Sequence, residues 1–185
     1  MSILFLLIII FNQNNNVYAK NQEKLPIILC NQPYALCSAA KCIPDPRHAG
    51  YALCRCDVYT GVSAGFISCQ KRTPVTNKDH TQRIVSTFSF ENSDNPSMIC
   101  PAGTLWTDCV DAPCTVNPEN TKKALCSCPI KNQSTIITFG GNCQTNTCNT
   151  GFWSGATLEV SSMLRNVLGR TLKSEQQENK QCPKK

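Results

Sequence analysis

Tyr51-Ala52-Leu53-Cys54-Arg55-Cys56-Asp57-Val58 returns farther along the chain as Lys123-Ala124-Leu125-Cys126-Ser127-Cys128-Pro129-Ile130. An extended backbone places both sulfurs of each C-x-C pair on one face, beside Ala52 and Val58 in the first stretch and Ala124 and Ile130 in the second. Thiols at i and i+2 of a strand project in parallel, so each suits a bond to a different segment better than a bond to its neighbour. The stretch reads as the central strand of a disulfide-bonded module.

The flanks carry the same message. Cys37-x4-Cys42-x11-Cys54-x-Cys56-x12-Cys69 recurs as Cys109-x4-Cys114-x11-Cys126-x-Cys128-x14-Cys143, with an offset of 72 (126 less 54) through the first four cysteines. This spacing points to a duplicated segment. Pro46 matches Pro118, preceded by Asp45 and Asn117, a pairing that suits a tight turn. Tyr34 matches Trp106 and Ala40 matches Ala112, which fits packing against a disulfide and a crowded C-x4-C loop. A second strand is expected from Ser63 to Cys69 and from Thr135 to Phe139, with Tyr59-Thr60-Gly61 and Lys131-Asn132-Gln133-Ser134 as hairpin turns. The spacing is not that of the Kazal, EGF or knottin frameworks.

Ile3 to Phe11 is an apolar run far shorter than the roughly 20 residues of a membrane span. It leads through Asn12 to Asn16 into Val17-Tyr18-Ala19, which reads as a signal peptide over residues 1–19, cut after Ala19. All 14 cysteines lie in the remaining 166 residues (185 less 19). An even number of thiols in an oxidising compartment predicts seven disulfides. Zinc would want C-x2-C pairs, but the chain has none and carries only 2 histidines, so no metal or other cofactor is expected.

The repeat divides the cysteines. Cys30, Cys37, Cys42, Cys54, Cys56 and Cys69 are assigned to three bridges in a first module, and Cys100, Cys109, Cys114, Cys126, Cys128 and Cys143 to three in a second. Cys148 and Cys182 are left to pin the C-terminal segment. Pairing inside each module stays open. Modules this short need such bridges, each contributing about 2 to 4 kcal/mol mainly by restricting the unfolded chain.

The expected organisation is a signal peptide at 1–19, cysteine-rich modules at 20–69 and 100–148, a spacer at 70–99, and a C-terminal helix and tail at 149–185. The fold class is small, disulfide-rich and mainly β, with two tandem modules and a C-terminal amphipathic helix. In the spacer, Ile84 to Phe90 is rich in β-branched and aromatic residues and reads as a strand belonging to the fold. Lys71, Arg72, Lys78 and Arg83 read as a solvated basic loop. From Ala156 to Leu172, Val160, Met163, Leu164, Val167 and Leu168 recur at helical spacing, with Glu159 early and Arg165, Arg170 and Lys173 late, as the helix dipole favours. This stripe is expected to cover the β modules, with membrane-surface contact as its other use.

The net charge of +6 favours anionic surfaces, but no basic run is interleaved with aromatics, which argues against nucleic acid. Neither His48 nor His80 sits beside a serine or cysteine in a pattern that marks a nucleophile and base, and C-x-x-C is absent. Asp108 and Asp111 flank Cys109 as a weakly supported cation site. The two copies differ most in the loops Ile43 to Gly50 and Thr115 to Lys122, where Pro44, Asp45, Arg47, His48, Asn117, Glu119 and Asn120 are the candidate binding residues. The expectation is a secreted or periplasmic, non-enzymatic binding protein with an unknown protein or glycan partner, an inhibitor or effector among its forms. Two other readings compete: a small secreted hydrolase using His48 or His80, and a structural envelope or matrix component. Asn132-Gln133-Ser134 is a formal glycosylation sequon.

Overall fold

The computed structural model describes residues 26–37, 40–91, 97–138 and 152–172. The expected signal peptide and Cys143, Cys148 and Cys182 lie outside the described residues. In chain order the elements are β1 (Ile28–Leu36), β2 (Lys41–Pro44), β3 (Tyr51–Gly65), α1 (Cys69–Arg72), β4 (Val75–Thr76), β5 (Gln82–Thr87) and β6 (Met98–Cys100). There follow β7 (Trp106–Asp108), β8 (Pro113–Asn117), β9 (Asn120–Lys131), β10 (Ile136–Thr138), β11 (Phe152–Thr157) and α2 (Leu158–Leu172). The fold is mainly β, as the cysteine-bearing strands require.

The two quoted stretches are neighbours. β3 and β9 pair antiparallel from Tyr51↔Pro129 to Asp57↔Lys123, with Cys54 opposite Cys126. Exchanging each residue for its match 72 positions away maps this ladder onto itself about the Cys54–Cys126 pair: Ala52↔Cys128 becomes Ala124↔Cys56. On the free edge of β3 run β1 and then β2, both antiparallel to it; on the free edge of β9 run β7 and then β8.

Two further strands close the sheet into a barrel. β5 pairs parallel with β1 (Ala35↔Ser86) and antiparallel with β8 (Ile84↔Cys114), completing a circuit β1–β3–β9–β8–β5. β11 pairs parallel with β7 (Thr107↔Ser154) and antiparallel with β2 (Cys42↔Phe152), completing β2–β3–β9–β7–β11. The closing strands also tie down the C-x4-C loops. The Ser154 hydroxyl donates to the Cys37 carbonyl and accepts the Ala40 N–H at 2.8 Å, while the Ser86 hydroxyl donates to the Cys109 carbonyl. Each serine's N–H also bonds the loop: Ser154 to the Ala40 carbonyl at 3.0 Å and Ser86 to the Ala112 carbonyl at 2.9 Å.

Inside the barrel the core is largely sulfur. Cys42–Cys54 and Cys114–Cys126 each span 12 residues, and Cys37–Cys56 and Cys109–Cys128 each span 19. Cys42, Cys54, Cys126 and Cys114 stand in one row across β2, β3, β9 and β8, and the Sγ atoms of Cys54 and Cys109 lie 3.5 Å apart. Ala35, Ala52, Ala112, Ala124, Ile84 and Val116 fill the remaining space. Small side chains are needed here because eight half-cystines already occupy the interior. Loops of this length are worth about 3 kcal/mol each in the chain-entropy account.

Each C-x-C pair does bond to two different segments. Cys30–Cys69 completes three bridges among the first six cysteines, Cys100 is also disulfide-bonded, and no described cysteine is free. The hairpin expected at Tyr59-Thr60-Gly61 does not form. β3 runs straight through it, because β1 lies alongside and supplies partners throughout, Tyr34↔Tyr59, Pro33↔Thr60 and Gln32↔Gly61. In the second half β9 ends at Lys131, and β10 pairs with β6 and β11 rather than folding back on β9.

Arg72 also departs from the solvated basic loop. Only 1 % exposed, it donates from Nε to the Ile67 carbonyl at 2.8 Å and from Nη2 to the Ile28 carbonyl at 2.7 Å. Trp106 is buried beside Cys100, whereas Tyr34 is buried with its ring 6.2 Å from that of Tyr59, and the Tyr34 hydroxyl donates to Ser89 Oγ at 2.8 Å. Burial pushes that phenol up to about 12. The spacer strand is β5, extended by an isolated bridge from Phe88 to Ala64. α2 buries Leu164 and Leu168 completely against Ala64, Phe88 and Ile137, forming a second, aliphatic core. Val160 packs against this core from the same side of the helix.

Candidate binding face

The two sequence-derived loops stand at opposite ends of the β3–β9 ladder. The loop after β2 adjoins the Tyr51↔Pro129 end, and the turn between β8 and β9 adjoins the Asp57↔Lys123 end. Six residues of strand separate these ends, about 20 Å. Pro44, Asp45, Arg47 and His48 therefore lie together, Asn117, Glu119 and Asn120 lie together, and the two sets do not meet.

Within each loop some candidates hold the backbone through side-chain hydrogen bonds. Asp45 is buried, and its Oδ1 accepts the Arg47 N–H at 2.9 Å. That hydrogen bond, with Arg47 and His48 nearby, holds its carboxyl below the usual range. Arg47 and His48 are left on the outside, His48 Nδ1 lying 3.6 Å from Asp45 Oδ2. Gly50, at φ +82°, turns the chain into β3, a conformation that a Cβ would strain. In the other loop Asn117 Oδ1 accepts the Glu119 N–H at 2.9 Å and Asn120 Oδ1 accepts the Lys122 N–H at 3.2 Å. Glu119 is the exposed tip.

The catalytic candidates do not assemble among the described residues. His48 has a carboxylate beside it, but its ring contact is Tyr51, edge-on at 6.2 Å, and no serine or cysteine hydrogen-bonds to it. His80 ends a turn at φ 64°, its N–H donating to the Asn77 carbonyl at 3.0 Å. Asp108 and Asp111 serve separate partners. Asp108 Oδ2 pairs with Lys131 Nζ at 2.6 Å. Asp111 turns inward at φ 60°, and its Oδ2 accepts the N–H groups of Phe66 at 2.6 Å and Ile67 at 3.2 Å. Burial outweighs those bonds and raises the Asp111 carboxyl above its ordinary value. Asp111 therefore clamps the two halves together. The three-sulfur groups Cys37, Cys56, Cys126 and Cys42, Cys54, Cys109 would suit a soft metal as thiolates, but all six sulfurs are engaged in disulfides. A small cleft lined by Cys37, Thr87, Phe88, Cys109, Val110, Ile137, Gly155 and Ala156 contains no titratable side chain.

A different surface collects chemistry that the loops do not. Residues between the cysteines point outward on the wall formed by β2, β3, β9 and β8. Ile43 is 60 % exposed, Tyr51 and Leu125 are 43 % exposed, and Leu53 is half-buried among them. Lys41 and Arg55, which flank the Cys42–Cys54 pair on this side, are exposed and have no acidic partner among the described residues. Asp57 is on the same face but is held by Lys123. Exposed aliphatic side chains and cations without acidic partners among the described residues thus stand together on a cystine-stiffened wall. Sequence reasoning missed it because these positions look ordinary until four strands bring them side by side. The alternation within Leu53-Cys54-Arg55 and Leu125-Cys126-Ser127 was the available signal.

No protein-family model, curated protein or solved structure matches this chain.

Proposed function

We propose that the chain is an exported, disulfide-stabilised binding protein without catalytic chemistry of its own, which engages a protein or glycan partner through its rigid exterior. One observation carries this reading: the central wall uses its inner face for half-cystines and leaves Ile43, Tyr51, Leu125, Lys41 and Arg55 on its outer face. A surface that is stiff before binding loses little conformational entropy on contact. Arg47, His48 and Glu119 at the two ends of the wall are further contact points.

Five disulfides between described cysteines, with Cys100 bonded as well, suit an oxidising compartment, which supports export after removal of residues 1–19. The identical 12- and 19-residue bridges in the two halves support duplication of one segment. The test is photo-crosslinking from residues placed at His48, Thr115 and Glu119 in the oxidised, exported protein. The expected result is one recurrent adduct that excess unlabelled protein competes away. A chain that forms no adduct yet turns over a substrate, with activity lost in His48→Ala or His80→Ala, would be a hydrolase instead.

A further inference from the structure

Two bridges from opposite halves meet inside the barrel. Cys54, bonded to Cys42, holds its Sγ 3.5 Å from that of Cys109, which is bonded to Cys128. Exchange of the halves turns this contact into Cys126 against Cys37, and those two sulfurs also lie within 4.8 Å of one another. Each of the five bridges between described cysteines stays within its own half.

The two contacts differ in one side chain. Thr107, fully buried, places its Oγ1 3.1 Å from Cys42 Sγ, 3.4 Å from Cys54 Sγ and 3.8 Å from Cys109 Sγ. At the matching place, 72 positions earlier (107 less 35), stands Ala35, which has no hydroxyl. A disulfide sulfur is a weak acceptor, so the threonine proton gains little in the fully bridged protein. A thiolate is a strong acceptor. Hydrogen bonding to the charged form favours it and offsets the burial that pushes an apolar thiol up.

We infer that Cys54, Cys109 and Thr107 form an internal thiol–disulfide exchange site, through which the two halves become joined by a Cys54–Cys109 bridge. The step starts from a chain in which Cys42–Cys54 is open. The Cys54 thiolate, held by the Thr107 hydroxyl, attacks Cys109 Sγ. The Cys54–Cys109 bond forms as the Cys109–Cys128 bond breaks, and the electron pair leaves on Cys128 Sγ, which takes up a proton. One thiol and one disulfide enter and one of each leaves, so no oxidant or reductant is consumed. The sulfurs close from 3.5 Å to a bonded length of about 2 Å. Reverse attack by Cys128 restores the original bridge. The site thus trades a bond within one half for a bond between halves, and it does not depend on the binding function proposed above.

In the test, Cys42→Ala leaves Cys54 as a thiol in the otherwise oxidised full-length protein. The variant is incubated at about pH 8, near the ordinary thiol value, quenched in acid, alkylated with N-ethylmaleimide in urea and mapped by mass spectrometry. The expected result is a Cys54–Cys109 cross-link, with the label on Cys128, that grows with time. Label on Cys54 alone, with Cys109–Cys128 intact, overturns the inference. Should Cys42→Ala unfold and scatter its cross-links, the wild type decides. Treated with less than one equivalent of dithiothreitol, which opens a bridge and ends as a cyclic disulfide, it should give the same Cys54–Cys109 cross-link. Label on both Cys42 and Cys54 without that cross-link overturns the inference as well. Thr107→Val in the Cys42→Ala background should slow exchange by about threefold, because a thiolate fraction lower by about tenfold is partly offset by a stronger nucleophile. It should also move the pH profile of exchange upward, and Thr107→Ser should restore it. Cys114→Ala, which frees Cys126 against Cys37 beside Ala35, should exchange more slowly than Cys42→Ala by a similar factor. An unchanged profile in Thr107→Val, or equal rates in the two halves, overturns the part assigned to Thr107.

Discussion

The two halves of the barrel share a frame and differ in what they attach to it. Within 28–88 and 98–157 the described residues carry the same pair of cross-strand disulfides and matching pairings, down to Ala64↔Phe88 in one and Ile137↔Ala156 in the other, although the continuous β1 and β3 are matched by the divided β6 and β7 and the divided β9 and β10. Ser86 and Ser154 also correspond, but their offset is 68 (154 less 86), so the equivalence extends beyond the cysteines into β5 and β11. Each closing strand leans on the opposite half. The first half then adds α1 and the buried Arg72, and the second adds α2 over an aliphatic core. The half-cystines and the alanines at Ala40, Ala52, Ala112 and Ala124 match between the halves, while Ala35 is replaced by Thr107. Positions facing solvent are free to specialise.

The largest effect should come from removing matched disulfides. Cys42→Ala with Cys54→Ala, and Cys114→Ala with Cys126→Ala, should each cost about 3 kcal/mol in urea unfolding, because the closed loops are equal. A difference well beyond 1 kcal/mol would show that one half depends on its attachments rather than on the frame.

Gly65 marks a point of asymmetry. It pairs with Ile28, whereas the corresponding edge in the second half pairs Met98 with Thr138. A Cβ at Gly65 would collide with the Asp111 carboxylate and come within 3.2 Å of Arg72 Nη1. Gly65→Ala should therefore cost about 1 to 3 kcal/mol, measured by thermal unfolding. Thr138→Ala tests the other half without this collision.

The two serines sharpen the comparison further. Ser154→Ala removes a donor to Cys37 and an acceptor for Ala40, whereas Ser86→Ala removes a donor to Cys109. We expect both to be destabilising by about 1 to 2 kcal/mol, Ser154→Ala the more so. Hydrogen exchange at the Ala40 amide should rise in Ser154→Ala and stay unchanged in Ser86→Ala.

Two titrations give the smallest effects. Tyr34→Phe loses the bond to Ser89, about 1 kcal/mol. In the wild type the Tyr34 contribution is complete below the ordinary tyrosine value and is lost as pH rises through about 12. Alkaline unfolding of Tyr34→Phe should lack that component. Asp111 has a raised carboxyl, so the folded state holds its proton more tightly than the unfolded chain does. Its contribution is present below the ordinary aspartate value and declines as pH rises through the raised one. The stability of the wild type relative to Asp111→Asn should accordingly be greatest in acid, read from urea midpoints between about pH 3 and about pH 7.

The C-x-C stretches carried the strand, its inward face and the need for separate disulfide partners, because period-two alternation is local and a cysteine declares its own chemistry. The helix was equally plain, since Leu164 and Leu168 recur at the spacing that places both against the sheet. The straight path of β3 through Tyr59-Thr60-Gly61 was not legible. Turn-forming residues bend a chain only where no neighbouring strand offers a ladder, and β1 offers one. Arg72 likewise looked like one cation among several until the carbonyls of Ile28 and Ile67 converged on it.

The sequence by itself determined a mainly β, cystine-centred chain with a covering helix, because spacing and side-chain period are properties of neighbours along the backbone. Tertiary structure alone decided that Cys54 faces Cys126 and that β5 and β11 cross to the opposite half. These are relations between segments far apart in the chain. Register, set by hydrogen bonds between strands and by the burial of one face, brings them together.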